Sequence, residues 1–286
     1  MVHGLIFSAG LGTRLKPLTD TMPKALVPLA GKPLLQWQVE KLRDAGITDI
    51  VVNVHHFPDM IIDTVRANNG WGCNIQISDE RDCLLDTGGG LRKAKELLLS
   101  TQPSTLNSQP STSLNSQPST LNPQPSPILA CNVDILSNID IKALIAAHDP
   151  QTLGTLVVSE RKTQRYFLFD EELSLRGWTN IATGEVKPAS LSEAAHSIIP
   201  SFQLLAFSGM QVLSPAIFDH MERVVAEKGD KFSLVDLYLS VCEENHQSPI
   251  TNHQSILRAF VPQDYRMMDV GKIDQIEEAE RFAESL

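Results

Sequence analysis

The sequence predicts an α/β protein in which a mostly parallel sheet is covered by helices on both faces. Short apolar runs alternate with segments of helical periodicity through the first half of the chain, as crossover connections between parallel strands require. Small and polar residues follow several of these runs directly. Because ligands bind at the carboxyl ends of the strands in such sheets, we expect a ligand site at these positions.

Each element of the first half is predicted from its own pattern. Residues 4–7 form an apolar run that ends abruptly at small residues, which indicates a buried strand. Pro58 suits the first turn of a helix because its missing N–H would have no partner there. The predicted strands are 4–7, 47–54, 73–78 and 128–133, and the predicted helices are 34–45, 58–67, 90–99 and 140–148.

The second half of the chain has shorter strand candidates separated by polar turns. This pattern predicts a smaller α+β lobe that adds strands to the same core, so we expect one domain over 1–150 and another over 151–286. The predicted strands are 155–159, 166–169 and 203–212, and the predicted helices are 215–224, 233–243 and 273–282.

Residues 101–127 differ from the rest of the chain. They repeat short Gln-Pro-Ser-Thr and Leu-Asn blocks, with no charged residue and three leucines as the apolar content. Such a composition cannot bury enough apolar surface to offset the entropy lost on ordering, so we predict a disordered surface insertion. A smaller duplication, at 245–255, is predicted to be a loop.

Composition and charge limit the function. The formal net charge of −10 argues against a nucleic-acid partner, since phosphate backbones require basic surfaces. Apolar runs stay well below the roughly 20 residues that span a bilayer, and a charged segment before the first apolar residues is lacking. We therefore expect a cytoplasmic protein that binds no membrane, and the sequence leaves its oligomeric state open.

A basic, glycine-containing loop follows the first predicted strand. Gly10 and Gly12 lack a Cβ, so backbone N–H groups there can approach an anion closely. Arg14 offers a planar fork of donors for phosphate oxygens, and Lys24 offers a mobile positive charge. An acidic protein with one basic loop suits a small anionic ligand, and we interpret the loop as a polyphosphate cradle.

The same loop has three other interpretations. An ordinary surface loop rich in glycine, proline and lysine is the simplest one. A dinucleotide-binding fingerprint needs a third glycine and an acidic residue further on, where this chain has Leu15 and Lys32. A P-loop needs Ser or Thr after Gly-Lys, but Pro33 follows Lys32. Both of these nucleotide-binding motifs fail.

Two aspartates are candidate metal ligands. Asp134 follows the apolar run that ends near residue 133, and Asp269 ends a short apolar stretch before Gly271. Paired carboxylates with few other protein ligands suit Mg²⁺, which keeps several waters and binds substrate phosphates. Taken singly, either aspartate could simply terminate a strand.

Several short motifs stand in order along the chain. They are GLGTR at 10–14, PK at 23–24, LVPLAGKPLL at 26–35, DTGGGL at 86–91, NVD at 132–134, FSGM at 207–210 and MDVG at 268–271. In this order they resemble the sugar-1-phosphate nucleotidyltransferase family, and the likeness covers nearly the whole chain apart from the insertion. Within the family the chain is most similar to bacterial enzymes that act on N-acetylmuramate 1-phosphate or mannose 1-phosphate.

The resemblance implies a Rossmann-like mixed sheet, a sugar-binding second lobe and a Mg²⁺-dependent enzyme of nucleotide-sugar and cell-envelope polysaccharide synthesis. It implies an in-line attack of a sugar 1-phosphate on the α-phosphate of a nucleoside triphosphate, UTP or GTP, with release of pyrophosphate. The implied residues are Arg14 and Lys24 for catalysis, Ala9, Gly10, Leu11, Gly12, Thr13, Arg14, Lys24, Gly88, Gly89 and Asn132 for the nucleotide, Glu160 and Gly209 for the sugar phosphate, and Asp134 and Asp269 for the metal.

The chain departs from the family at Val133, where Asn-Gly-Asp is common. Neighbouring side chains in a strand face opposite sides, so we expect Asp134 to face the site all the same. Replacing Lys24, interpreted as an exposed loop lysine, by alanine should lower kcat about 10²- to 10³-fold with little effect on folding. The alternatives are a catalytically silent regulatory or ligand-sensing relative and, more weakly, a nicotinamide oxidoreductase.

Overall fold

The structure is a computed structural model that describes residues 2–100, 126–192, 199–247 and 256–286. Nearly all of the segment predicted to be disordered, 101–127, and most of the duplication at 245–255 lie outside these ranges. Both predictions therefore stay predictions.

A single mixed sheet of ten strands forms the centre of the described structure. Two further pairs of short strands lie outside it, β2 with β3 and β7 with β14. The strands are β1 (His3–Phe7), β2 (Pro28–Leu29), β3 (Lys32–Pro33), β4 (Asp49–Val54), β5 (Asn74–Asp79), β6 (Ile128–Asn132), β7 (Ile135–Ser137), β8 (Gly154–Ser159), β9 (Arg165–Phe169), β10 (Leu175–Asn180), β11 (Glu185–Lys187), β12 (Gln203–Leu213), β13 (Leu257–Phe260) and β14 (Met267–Asp269).

The first half of the sheet is parallel. β1 lies between β4 and β6, and β5 pairs with the far edge of β4. β1, β4 and β6 are nearly continuous apolar runs because both of their faces are covered, whereas the edge strand β5 alternates isoleucine with polar residues and is mostly half-buried. Their carboxyl ends therefore meet at one edge of the sheet, where the loop after β1 begins.

The second half of the sheet is largely antiparallel, and β12 joins it to the first half. Residues 203–205 of β12 pair with β9, whereas residues 210–213 pair with β6. The register along β8 shifts between Phe207 and Gln211, around Gly209, whose φ of 71° favours glycine. The bulge lies beside the carboxyl end of β6, because Met210, which follows Gly209, pairs with Cys131.

Helices cover both faces of the sheet, and β1 contributes to both cores. Ile6 packs in the core that contains α1, α2, α5 and α9, while Leu5 and Phe7 pack in the opposite core with α3, α4, α7 and α8. The helices are α1 (Leu34–Asp44), α2 (Pro58–Ala67), α3 (Asp86–Lys93), α4 (Lys95–Leu99), α5 (Ile141–Ala147), α6 (Ala189–Ser192), α7 (Met221–Lys228), α8 (Leu234–Gln247) and α9 (Ile276–Glu284).

The predicted arrangement of helices on both faces of an α/β sheet is confirmed. One boundary differs in a way that matters for the site, because the helix predicted over 90–99 begins at Asp86 and is interrupted at Ala94. The three glycines at 88–90 therefore lie inside a helix rather than in a loop. Among the described residues, no helix is both long and apolar enough to cross a membrane.

Candidate functional site

A cavity of about 450 Å³ opens at the carboxyl ends of β1, β4 and β6. It combines the basic loop after β1 with residues from the start of α3 and from the end of β6. Its lining residues are Phe7, Ser8, Ala9, Gly10, Gly12, Thr13, Arg14, Lys24, Asn53, Leu84, Asp86, Thr87, Asn132, Val133, Asp134, Lys231 and Gly271. The basic loop and Asp134 thus share one cavity.

The end of β6 directs Asp134 into this cavity. The N–H of Val133 donates to the carbonyl of Phe7 (3.1 Å), which extends the pairing of β6 with β1. The side chain of Val133 is buried in the core, with 4% of the residue exposed. Asp134 comes next and faces the other way, so the valine is accommodated without turning the aspartate away.

Two cations and two carboxylates form a charged group at the edge of the cavity; Asp269 lies outside the lining, beside the lining residue Gly271. Lys24 pairs with Asp134, and an Arg14 guanidinium nitrogen lies 3.9 Å from a carboxylate oxygen of Asp269. The N–H of Val270 donates to the Asp134 carbonyl (2.8 Å), which brings the end of β14 next to β6. Sequence positions 14, 24, 134 and 269 therefore meet at one place.

The carboxylates lie close enough to influence each other. Burial raises the pKa of Asp269, and the negative charge of Asp134 raises it further, while Lys24, Arg14 and Arg161 act in the opposite direction. The ionised form of Asp269 is thus disfavoured beside ionised Asp134, unless a further positive charge binds next to the two carboxylates.

Lys24 is not the exposed loop lysine that the sequence predicted. Only 9% of its side chain is exposed, and its partner Asp134 is 20% exposed. The lysine lies in a 3₁₀ turn, Lys24–Leu26, that packs against the glycine loop, since a Cβ at Gly12 would lie 3.0 Å from the Lys24 Cβ. The premise of an exposed lysine is therefore wrong, and we now expect its loss to lower the stability of the fold.

The absence of a side chain has a different structural consequence at each of three glycines around the cavity. Gly12 has a φ of 65°, and a Cβ there would lie 2.8 Å from the Thr19 methyl carbon. Nothing lies within 4 Å of the position that a Cβ of Gly10 would take, so its backbone is open to a ligand. At Gly271, a Cβ would lie 2.8 Å from the Arg14 guanidinium and would displace it.

A buried polar network, which sequence analysis missed, holds the first residues of the basic loop. The Asn53 side-chain oxygen accepts from the N–H groups of Ser8 (2.7 Å) and Ala9 (3.3 Å). The Asn53 amide nitrogen donates to Glu80 (2.8 Å), and the other oxygen of Glu80 accepts from the Leu85 N–H (3.3 Å). Glu80 thereby links the two segments that border the cavity.

The three glycines of α3 each approach a different part of the protein. A Cβ at Gly88 would lie 2.4 Å from the Phe232 ring, and one at Gly89 would lie 2.2 Å from the Asp230 carbonyl oxygen. A Cβ at Gly90 would lie 2.8 Å from the Asn53 amide nitrogen. The missing side chains of Gly88 and Gly89 therefore make room for the chain's own segment 230–232, and neither residue is among those that line the cavity.

The remaining predicted residues lie at or beside the cavity. Asn132 lines it, and Gly209 adjoins Asn132, since a Cβ at 209 would be 2.9 Å from the Asn132 amide nitrogen. Leu11 is exposed and outside the lining. Glu160 lies in a neighbouring hollow that also includes Arg161 and Tyr265.

Sequence analysis missed several lining residues, among them Asn53, Thr87 and Lys231. Asn53 is a polar residue in an otherwise apolar strand, which could have drawn attention to it. Thr87 directly precedes the glycines of the DTGGGL motif. Lys231 lies far along the chain from the other lining cations and has no local signal.

Comparison with known protein families decides the classification. The family model described as Nucleotidyl transferase matches residues 3–166, which is more than half of the chain. The chain belongs to this family. The resemblance inferred from the motifs is therefore confirmed, and the matched residues include the basic loop, Asn53, Glu80 and Asp134.

Curated relatives of this nucleotidyl transferase act on sugar phosphates according to their names. It is 29% identical over 230 residues to N-acetylmuramate alpha-1-phosphate uridylyltransferase of Neisseria meningitidis, covering 77% of this chain and 79% of the relative. Identity to the Caulobacter vibrioides enzyme of the same name is 46% over 96 residues, 33% of this chain and 40% of that enzyme. Identity to mannose-1-phosphate guanyltransferase of Yarrowia lipolytica is 45% over 98 residues, 34% of this chain and 27% of that enzyme.

Solved structures share the fold over the whole chain. A Bacillus anthracis protein assigned as a glucose-1-phosphate thymidylyltransferase superposes with a TM-score of 0.71 at 13% identity, covering 100% of this chain and 96% of that one. HddC from Yersinia pseudotuberculosis, in complex with GMP-PN, superposes with a TM-score of 0.63 at 20% identity, with 99% of both chains covered. The predicted fold class is confirmed by these likenesses.

Proposed function

We propose that this protein joins a nucleoside triphosphate to a sugar 1-phosphate, giving a nucleotide sugar and pyrophosphate. The observation that carries the proposal is the meeting of Arg14 and Lys24 with Asp134 and Asp269 at the edge of one cavity beside an open glycine loop. The names of the relatives in the family support this reaction class, and they favour UTP or GTP as the nucleotide.

The nucleotide is proposed to lie along the loop from Ala9 to Thr13. Gly10 leaves the backbone open there, and Arg14 and Lys24 are positioned to bind phosphate oxygens. Asn132 is proposed to contact the nucleoside from the end of β6. Gly88 and Gly89 act indirectly in this proposal, since they let α3 approach segment 230–232 and so set the position of Thr87 at the cavity.

Asp134 and Asp269 have the donor chemistry that Mg²⁺ requires. Two neighbouring carboxylates at a partly exposed site suit a small divalent cation that takes its remaining ligands from water and substrate phosphates. Burial and the charge of Asp134 both raise the pKa of Asp269, so a cation there would favour its ionised form. When bound, Mg²⁺ would neutralise phosphate charge. The group has no third carboxylate, histidine or cysteine close enough to complete a metal cluster among the described residues.

The proposed reaction is a direct displacement. A phosphate oxygen of the sugar 1-phosphate forms a bond to the α-phosphorus, and the bond from that phosphorus to the oxygen bridging it to the β-phosphorus breaks. Pyrophosphate leaves with that electron pair. Arg14 and Lys24 stabilise the charge that develops on the leaving group, while the loop fixes the α-phosphate for in-line attack.

The sugar phosphate is proposed to approach from the side of Arg161. This arginine donates to the Phe207 carbonyl (2.9 Å) and is close enough to Asp269 to lower its pKa. Gly209 and Glu160 lie on the same side, at the bulge of β12 and at the end of β8. A cation beside the carboxylates can hold the phosphate of the second substrate next to the first.

Release of pyrophosphate tests the proposal. Four nucleoside triphosphates are each combined with several sugar 1-phosphates, with and without Mg²⁺. We expect pyrophosphate only when both substrates and Mg²⁺ are present, with UTP or GTP preferred. If nucleoside triphosphates bind but no combination yields pyrophosphate, the chain is the silent, ligand-sensing relative, and the proposed reaction is refuted.

A further inference from the structure

The network around Asn53 works only with one orientation of each polar group. The Asn53 oxygen accepts from two loop N–H groups, those of Ser8 and Ala9, so its nitrogen must point to Glu80. Both oxygens of Glu80 accept hydrogen bonds, from Asn53 and from the Leu85 N–H. If the Asn53 amide turned over, its N–H₂ would face the two loop N–H groups.

The network is shielded from water, which makes its orientation costly to change. Ser8 and Asn53 are each 2% exposed, and Glu80 is fully buried. The Ser8 hydroxyl adds a further hydrogen bond to the Asn53 carbonyl. An unpaired polar group in such a place has no water to replace its partner, so a lost hydrogen bond is not compensated.

Gly90 leaves room for the same network from the side of α3. A Cβ at this position would lie 2.8 Å from the Asn53 nitrogen and 2.9 Å from the Glu80 oxygen that accepts from it. The third glycine of the DTGGGL motif therefore leaves space for this hydrogen bond and not for a ligand.

We infer that Glu80 is a positioning residue for nucleotide binding. By fixing the orientation of the Asn53 amide, it holds the Ser8 and Ala9 backbone at the point where the loop enters the cavity, and its second oxygen holds Leu85 on the opposite border. This inference rests on the proposed function, since it assigns the network to the affinity for nucleoside triphosphate. Glu80 itself lies outside the lining of the cavity.

The direction of the hydrogen bond between residues 53 and 80 can be reversed without changing the size of either side chain. Glu80→Gln alone leaves two donors facing each other, either at Asn53 or at Leu85. Asn53→Asp alone brings two carboxylates together. In the double variant every bond has a donor and an acceptor again, because the introduced glutamine donates to the introduced aspartate and accepts from the Leu85 N–H. The double variant should therefore recover the hydrogen bonding that each single variant loses.

Dissociation constants for UTP and GTP with Mg²⁺ are measured for the four proteins. We expect each single variant to bind more weakly by on the order of 10-fold, the effect of one lost hydrogen bond to a charged, buried group. The double variant should bind within about 3-fold of the wild type. The KM for the sugar 1-phosphate should stay unchanged, which a general loss of stability would not produce.

A matched control lies at the other end of β4 and β5. Asn74 donates to Asp49 (2.9 Å) at the start of β5 and β4, at the opposite end from the cavity. Asn74→Asp, Asp49→Asn and their combination should leave triphosphate affinity unchanged.

Amide hydrogen exchange of Ser8 and Ala9 gives a second readout that needs no ligand. These two amides should be protected in the wild type, lose protection in each single variant and regain it in the double variant. If Asn53→Asp alone does not fold, recovery of folding by adding Glu80→Gln supports the inference, and continued failure to fold overturns it.

The outcomes separate this inference from the proposed function. The positioning role is overturned if the folded single variants bind triphosphate as tightly as the wild type. It is also overturned if the double variant loses as much affinity as the two single variants together. A wild-type protein that binds none of the triphosphates refutes the proposed function and with it the nucleotide part of the inference. The amide exchange then still decides whether Glu80 holds the loop.

Discussion

Lys24 is the residue whose replacement tests the charged group most sharply. Lys24→Met removes the positive charge and keeps most of the aliphatic side chain, whereas Lys24→Ala removes both. The two variants separate the charge from the packing, which matters because only 9% of the side chain is exposed. Lys16→Met is the matched control, since Lys16 lies in the same loop and pairs with Asp20, but 59% of its side chain is exposed.

The charge and burial of Lys24 determine the expected losses of activity and of stability. Loss of one preorganised charge-stabilising group should lower kcat about 10²- to 10³-fold in both variants. Breaking a surface ion pair costs up to about 1 kcal/mol, and breaking a fully buried one costs about 3–5 kcal/mol. Since Asp134 keeps 20% exposure, we expect the unfolding free energy of Lys24→Met to fall by about 1–3 kcal/mol.

Pyrophosphate release at saturating substrate and urea unfolding measure the two effects. Lys24→Ala should be less stable than Lys24→Met, because it also loses buried methylene groups worth about 0.8 kcal/mol each. Lys16→Met should match the wild type in both assays. Wild-type turnover by Lys24→Met would remove Lys24 from the mechanism, and unchanged stability would contradict the buried pair with Asp134.

Three further predictions follow from other parts of the structure. Asp269→Asn should raise the melting temperature of the metal-free protein, because it removes a charge that disfavours folding beside Asp134. The same variant should weaken activation by Mg²⁺ at least as much as replacing a residue behind a metal ligand does, which is roughly 10- to 100-fold. Gly89→Ala should lower the unfolding free energy by about 1–3 kcal/mol, since its Cβ would lie 2.2 Å from the Asp230 carbonyl oxygen; an unchanged urea midpoint would contradict this contact. Burial lowers the pKa of Lys41 to about 8 from an ordinary 10.5. The wild-type protein should therefore gain stability relative to Lys41→Met as the pH rises from about 8 to about 10.5, and parallel curves of stability against pH for the two proteins would refute this.

Local patterns predicted the elements of the first half well. The strand near 4–7 and the one near 128–133 are buried apolar runs, which is how parallel strands covered on both faces read in a sequence. The bounds of α2, Pro58–Ala67, match the prediction because a proline marks its first turn. Where the fold depends on periodicity and turn chemistry, the sequence is sufficient.

Elements that depend on distant partners were missed. β7 and β14 have three residues each and pair only with each other in the described structure, with Ile135 opposite Asp269. The apolar stretch before Asp269 gives no sign of its partner strand, yet together β7 and β14 bring Asp269 to Asp134. The burial of Lys24 is also a tertiary effect, because Asp134 lies 110 residues further along the chain.

The glycine-rich motif at 86–91 illustrates the same limit. The resemblance assigned Gly88 and Gly89 to the nucleotide, and that assignment stays a prediction. In the structure all three glycines are approached closely. What approaches them, however, is the chain itself, at Phe232, Asp230 and the Asn53–Glu80 pair. A glycine's neighbour comes from the tertiary fold, which local sequence does not specify.

The most direct test is the position of a bound metal ion. Crystals of the wild-type protein grown with Mn²⁺ and a non-hydrolysable nucleoside triphosphate should give an anomalous peak between the carboxylates of Asp134 and Asp269, with the phosphates contacting Arg14 and Lys24. A triphosphate bound elsewhere, or a metal ion that contacts neither aspartate, would contradict the central claim that these four residues form one nucleotide-binding site.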